Sequence, residues 1–106
     1  MPKFLVQTSY SPEGARGLLK EGGSARRATA KKLIEGLGGT MEAFYFAFGE
    51  DDAFLIMDLP DNASASAIAL HVNQSGSVRI KTVPLVTPEE VDQAVKLAVT
   101  YRPPGA

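Results

Sequence analysis

The chain of 106 residues has no cysteine, a single histidine and almost no excess of charge of either sign. Without cysteine there is no disulfide scaffold, no thiolate metal site and no thiol nucleophile. With one histidine, His71, proton transfer near neutral pH has a single imidazole to draw on. Long hydrophobic runs are missing as well. The longest are about half a dozen residues, against the roughly 20 that a membrane-spanning helix needs, so no membrane partner is expected. The 11 Lys and Arg set against 12 Asp and Glu leave a net charge of −1. A chain so balanced lacks the basic footprint of a nucleic-acid binder. Residues 13–35 do carry six basic and three acidic side chains, but no aromatic lies among them. A solvated basic face is the plainer reading, and no nucleic-acid partner is expected.

What is present suits one compact domain over residues 1–106, with 44% hydrophobic and 22% charged residues. Met1–Tyr10 holds one lysine and a short apolar stretch that runs straight into a polar turn. That reads as a first strand and not as a signal peptide, so a cytoplasmic protein is the expectation.

Phe4–Thr8 is β-rich and is followed by Ser11-Pro12, a helix cap and a first helical proline. Ala15, Leu18 and Leu19 share a face before Gly22-Gly23 stops that helix. Ser24 then reads as the cap of a second helix, with Ala30, Leu33, Ile34 and Leu37 in one stripe up to Gly38-Gly39. The period changes at residue 40. Thr40–Phe48 and Ala53–Leu59 are aromatic and branched runs on either side of Gly49-Glu50-Asp51-Asp52, a hairpin signal. Pro60-Asp61-Asn62 opens another helix, in which Ala65, Ile68, Ala69 and Val72 share a face. Val78–Leu85 alternates as a fourth strand. Thr87-Pro88-Glu89-Glu90 is a capping box for a last helix, with Val91, Ala94, Val95 and Ala98 as its stripe and Arg102-Pro103-Pro104 as its stop. The order is that of an α+β, ferredoxin-like βαββαβ antiparallel sheet with an appended C-terminal helix.

The hairpin is apolar on both sides. Phe44, Phe46 and Phe48 fall on one face by strict alternation, with Met41, Ala43, Tyr45 and Ala47 on the other; Leu55, Met57 and Leu59 oppose Phe54 and Ile56. Helices cover one face of such a sheet. Leaving four or five large side chains wet on the other would forgo about 5–10 kcal/mol at ~25 cal/mol per Å². A second copy packed sheet against sheet, an isologous homodimer, is the economical solution. The alternative is that the last helix folds back over that face.

The phrases Ser9-Tyr10-Ser11, Ala30-Lys31-Lys32-Leu33, Leu37-Gly38-Gly39, Phe44-Tyr45-Phe46 and Ser75-Gly76-Ser77-Val78-Arg79-Ile80-Lys81-Thr82 resemble those of GYD-domain proteins, from Lys3 to about Leu85. The resemblance implies membership of the dimeric α/β-barrel group and a ferredoxin-like fold. That group includes monooxygenases, isomerases, cyclases and effector-binding domains, so the resemblance leaves the chemistry open. The family is named for a Gly-Tyr-Asp motif in the hairpin. Here the stretch reads Gly49-Glu50-Asp51-Asp52, so no role of that tyrosine carries over.

Five residues stand out as candidate ligand-binding groups. Tyr10 and Tyr45 place phenols beside apolar walls, suited to orienting a small polar group. Arg26, with Arg27, sits in the first turn of a helix, where cations oppose the macrodipole unless an anion or carboxylate rewards them; a solvated surface is the bland reading. Asp58 interrupts an apolar strand, where its charge needs a cation or donors, or else it marks a frayed strand end before Pro60. His71 falls on the flank of its helix, where an ordinary surface histidine is the plainer reading. Glu50-Asp51-Asp52 has the composition of a turn and lacks the spacing of a calcium loop. No metal or cofactor is called for. The Ala-rich stretch at 63–69 serves either close packing or a ligand gap. The leading expectation is a homodimer holding a small, mostly apolar molecule between sheet and helices. The others are a cofactor-independent isomerase, cyclase or monooxygenase on a small aromatic substrate, and a structural or regulatory module with no ligand.

Overall fold

A computed structural model of the chain describes residues 1–106. In chain order the elements are β1 (Lys3–Tyr10), α1 (Pro12–Glu21), α2 (Gly23–Gly36), β2 (Thr40–Phe46), β3 (Ala53–Asp58), α3 (Asn62–Gln74), β4 (Val78–Leu85) and α4 (Pro88–Ala94). The strands form one antiparallel sheet in the order β2-β3-β1-β4. This is the ferredoxin-like arrangement expected from the element order, with α1, α2 and α3 over one face.

Local chemistry sets the helix ends. The Ser11 hydroxyl accepts from the Gly14 amide at 3.1 Å, and Pro12 fills the first helical position. Gly22, at φ +86°, breaks the chain between α1 and α2. It also stands at the cap position of α2, so the second helix starts without a side-chain cap and Ser24 lies inside its first turn. The expected Ser24 cap is thereby corrected: the turn that a positive φ makes possible starts the helix two residues too early for it. In α3, the Asp61 carboxylate accepts from both the amide and the hydroxyl of Ser64, at 2.8 Å each. These bonds hold Asp61 below the usual carboxylate range. A depressed folded-state value contributes stability above the ordinary value and loses it as pH falls through the folded one. Asp61→Asn, which keeps a neutral cap, is expected to be less stable than the parent at neutral pH and to close the gap as pH falls below the ordinary carboxylate range, read by urea unfolding across that range.

Alternation along the strands sorts the two faces. Phe4, Val6 and Thr8 of β1, Leu55 and Met57 of β3, and Ile80 of β4 are buried under the helices. With Ile34, Leu59, Ala65 and Ile68 they form the core. Strict alternation fails in β2. A β-bulge lies between Met41 and Ala43, so Met41 pairs with Met57 while Phe44 pairs with Leu55. Cross-strand partners share a face, so Met41 joins Phe44 and Phe46 on the helix side. The expected placement of Met41 beside Ala43 and Tyr45 is corrected by that one extra residue.

The opposite face carries Leu5, Ala43, Tyr45, Phe54, Ile56 and Val83. Tyr45 is 73% exposed there and Val83 is 38% exposed. The last helix does not fold back over them. Every residue from Val86 to Ala106 is exposed, and α4 ends at Ala94, short of the Ala98 expected from its stripe. The capping box is formed, Thr87 accepting from the Glu90 amide and Glu90 from the Thr87 amide. A box secures the start of a helix, but with no packed face the helix stops after two turns. The radius of gyration is 16.9 Å, against about 13 Å for a compact domain of this length. The C-terminal segment projects as an arm.

Candidate site between the sheet and the second helix

Helix α2 leans on β2 and α3 leans on β4, which leaves a crevice between the helices above the central strands β1 and β3. A cavity of about 70 Å³, open on one side, lies in it. Val6, Leu55, Met57 and Ile80 form its floor, with Leu33, Ile34, Ile68 and Val72 as walls. Thr8, Tyr10, Arg26 and Thr29 are its polar lining. The gap arises beside α2, where Ala30 faces the sheet, and not under the Ala-rich part of α3, whose Ala65 is packed into the core.

Tyr10 ends β1 with the parity of Phe4, Val6 and Thr8, so its ring points to the helix side. Arg26 reaches the same place from the first turn of α2. Burial pushes the Tyr10 phenol above its ordinary value, and the neighbouring Arg26 guanidinium opposes that shift. The phenol is therefore neutral and the guanidinium cationic throughout the physiological range. The site presents one O–H and one fixed positive charge at the rim of an apolar crevice.

The other candidates lie elsewhere. Tyr45 and Asp58 are on the opposite face of the sheet. The Asp58 carboxylate is 3.0 Å from the Lys3 ammonium, which also contacts Glu42 at 2.6 Å. The bonds to Glu42 and Asp58 raise the Lys3 ammonium above its ordinary value. His71 is exposed and lines an open groove between α2 and α3 with Lys32 and Leu37; that groove shares only Leu33 and Ile68 with the cavity. The acidic loop is turned onto β1. Asp52 accepts from the Tyr10 amide at 2.8 Å, and Asp51 accepts from Gln7 and Ser9 at 3.4 Å each. Tyr10 and Arg26 are thus the two of the five that meet. Thr8 and Thr29 were not singled out from the sequence; the parity of Thr8 with Val6, and the place of Thr29 beside Ala30, were the available signals.

The GYD domain model matches residues 4–95 of this chain. No curated protein and no solved structure matches it.

Proposed function

The chain belongs to the GYD-domain family, and from that premise we propose that it is a homodimeric binder of a small, mostly apolar molecule that carries one anionic group. The observation behind this reading is the crevice: eleven of its 15 lining residues are wholly apolar, and Arg26 and Tyr10 stand together among the other four. Its volume is about half of the ~150 Å³ at which an engineered apolar cavity takes up benzene. A short aliphatic acid fits such a space, its carbon end between Leu55 and Ile68 and its carboxylate on Arg26 and the Tyr10 hydroxyl. Four buried CH₂ groups contribute about 3 kcal/mol, and a charge-assisted hydrogen bond about 1.5–3 kcal/mol more. The cost of association offsets most of that sum, so weak affinity, with a Kd in the tens of millimolar or above, is expected for so small a probe. Neither side chain changes charge near neutral pH, which suits holding a ligand better than proton transfer.

The second copy is supported by the uncovered sheet face, where Leu5, Phe54 and Ile56 adjoin the exposed Tyr45 and Val83. A monomer has nothing of its own to lay over them.

Amide spectra recorded during titration with pentanoate test the site. Saturable shifts are expected at Thr8, Tyr10 and Ala30, with 1-pentanol binding about tenfold more weakly for want of a charge. Arg26→Gln is expected to weaken pentanoate by about the same factor and to leave 1-pentanol unchanged. Absence of shifts at these residues up to about 200 mM pentanoate at constant ionic strength, where a Kd in the tens of millimolar leaves the site mostly filled, would refute the reading.

A further inference from the structure

We propose that the C-terminal arms are exchanged in the homodimer, each α4 lying along β4 of the other copy. This rests on the dimer proposed above and adds to it which segment crosses over and how the two sheets are oriented.

Two surfaces of the chain lack partners within it. One is the arm, on which Val86, Val91, Val95, Leu97, Val99 and Tyr101 are between 47% and 79% exposed. Six large apolar side chains on one projecting segment are not a feature of a monomer at rest in water. The other surface is the open sheet face, with its apolar centre and, along β4, Arg79 and Lys81. Both of those cations are exposed, and the ion pairs of the chain involve Lys3 alone. The arm carries the matching charge. Helix α4 holds Glu89, Glu90 and Asp92 and no basic residue. Glu90 closes the capping box, which leaves Glu89 and Asp92 free.

Charge then selects the orientation. Two sheets can meet about a twofold axis that runs along the strands or across them. An axis across the strands sets β4 antiparallel over β4, so the arm leaving Leu85 of one copy starts beside Val78 and Arg79 of the other. Glu89 and Asp92 then meet Arg79 and Lys81, and the isologous geometry makes the contact twice. An axis along the strands sets β4 over β2 instead and leaves both charge clusters unpaired. Reach is sufficient. The α4 helix spans about 10 Å, and residues 95–101 add up to about 23 Å if extended. An eight-residue strand measures about 27 Å. Beyond the ion pairs, Val95, Leu97 and Val99 come to the rim of the apolar face.

The test is a charge exchange in the full chain, read by native mass spectrometry and sedimentation equilibrium. The variants are Glu89→Lys with Asp92→Lys, and Arg79→Glu with Lys81→Glu. All four residues are exposed, so each variant is expected to unfold at the temperature of the parent at concentrations where all are monomeric. The parent is expected to be a dimer. Each variant alone is expected to dissociate at least about tenfold more readily at low salt. Mixed one to one, the two variants are expected to form heterodimers in preference to either homodimer, because each reversed arm then meets a reversed strand. A monomeric parent would overturn the dimer and the exchange together. A dimeric parent whose variants dissociate no more readily, or whose variants mix only statistically, would overturn the exchange and leave a dimer made by the sheet faces.

Discussion

Replacing Leu59 with alanine is expected to lower the thermal midpoint by about 15–25 °C. Leu59 follows β3 and is fully buried, at 0% exposure, against Met57 and the second helix. Its amide donates to the Pro2 carbonyl at 3.0 Å, which ties the end of β3 to the start of the chain. Truncation removes three carbons where strands and helix close on each other from opposite sides, so the cavity does not collapse. The cost is about 3–4 kcal/mol, a large fraction of the roughly 5–10 kcal/mol that a domain of this size commands. The control is Leu19→Ala on α1, where the side chain is 88% exposed and a change within about 0.5 kcal/mol is expected. Calorimetry of the two variants decides it. Equal midpoints would mean that Leu59 is not in the core.

Adding one carbon a short distance away is expected to do comparable damage. A Cβ at Gly39 would stand 2.3 Å from the Asp58 carbonyl oxygen, 2.8 Å from Leu59 Cδ2 and 3.1 Å from Ile34 Cγ2. The methyl contacts can relax, but the carbonyl belongs to a strand paired on both sides, with Lys3 and with Thr40. Gly39→Ala therefore has to separate α2 from β3, at a cost of about 3 kcal/mol. Combining it with Leu59→Ala separates the two causes. If the carbonyl dominates, the losses add to within about 0.5 kcal/mol in guanidinium unfolding. If the leucine methyl dominates, the double variant recovers most of the alanine penalty.

Much of the fold was legible in the sequence because its signals are local. Ser11-Pro12, the Gly22-Gly23 break and the Thr87–Glu90 box each act within one turn of chain, and each appears where its chemistry places it. Apart from Ser24, displaced from the cap by the Gly22 turn, failures came where one element answers to another. The bulge at Glu42 depends on pairing with β3 and leaves no mark in β2 alone. The early end of α4 reflects contacts the helix does not make, whereas its stripe through Ala98 described only its own periodicity. The site divides in the same way. Tyr10 was recognisable by type and by parity with the core residues of its strand. Its meeting with Arg26 depends on where α2 is carried by the Gly22 turn, and the pairing of Asp58 with Lys3 depends on the β1–β3 register. Five residues suited to binding were therefore visible in advance, while their separation into a crevice, a sheet face and a helix groove was not.

The bulge in β2 has a bearing on how this molecule can polymerise. An edge strand is an invitation for another chain to add on laterally, and a kink with an extra charged residue, here Glu42, spoils the template. At the other border, β4 includes Pro84, which has no amide hydrogen to offer a newcomer. Both borders thus discourage ribbons that grow sideways. Whatever assembly the chain forms is steered towards closed, countable particles joined through broad surfaces, and away from open-ended fibres.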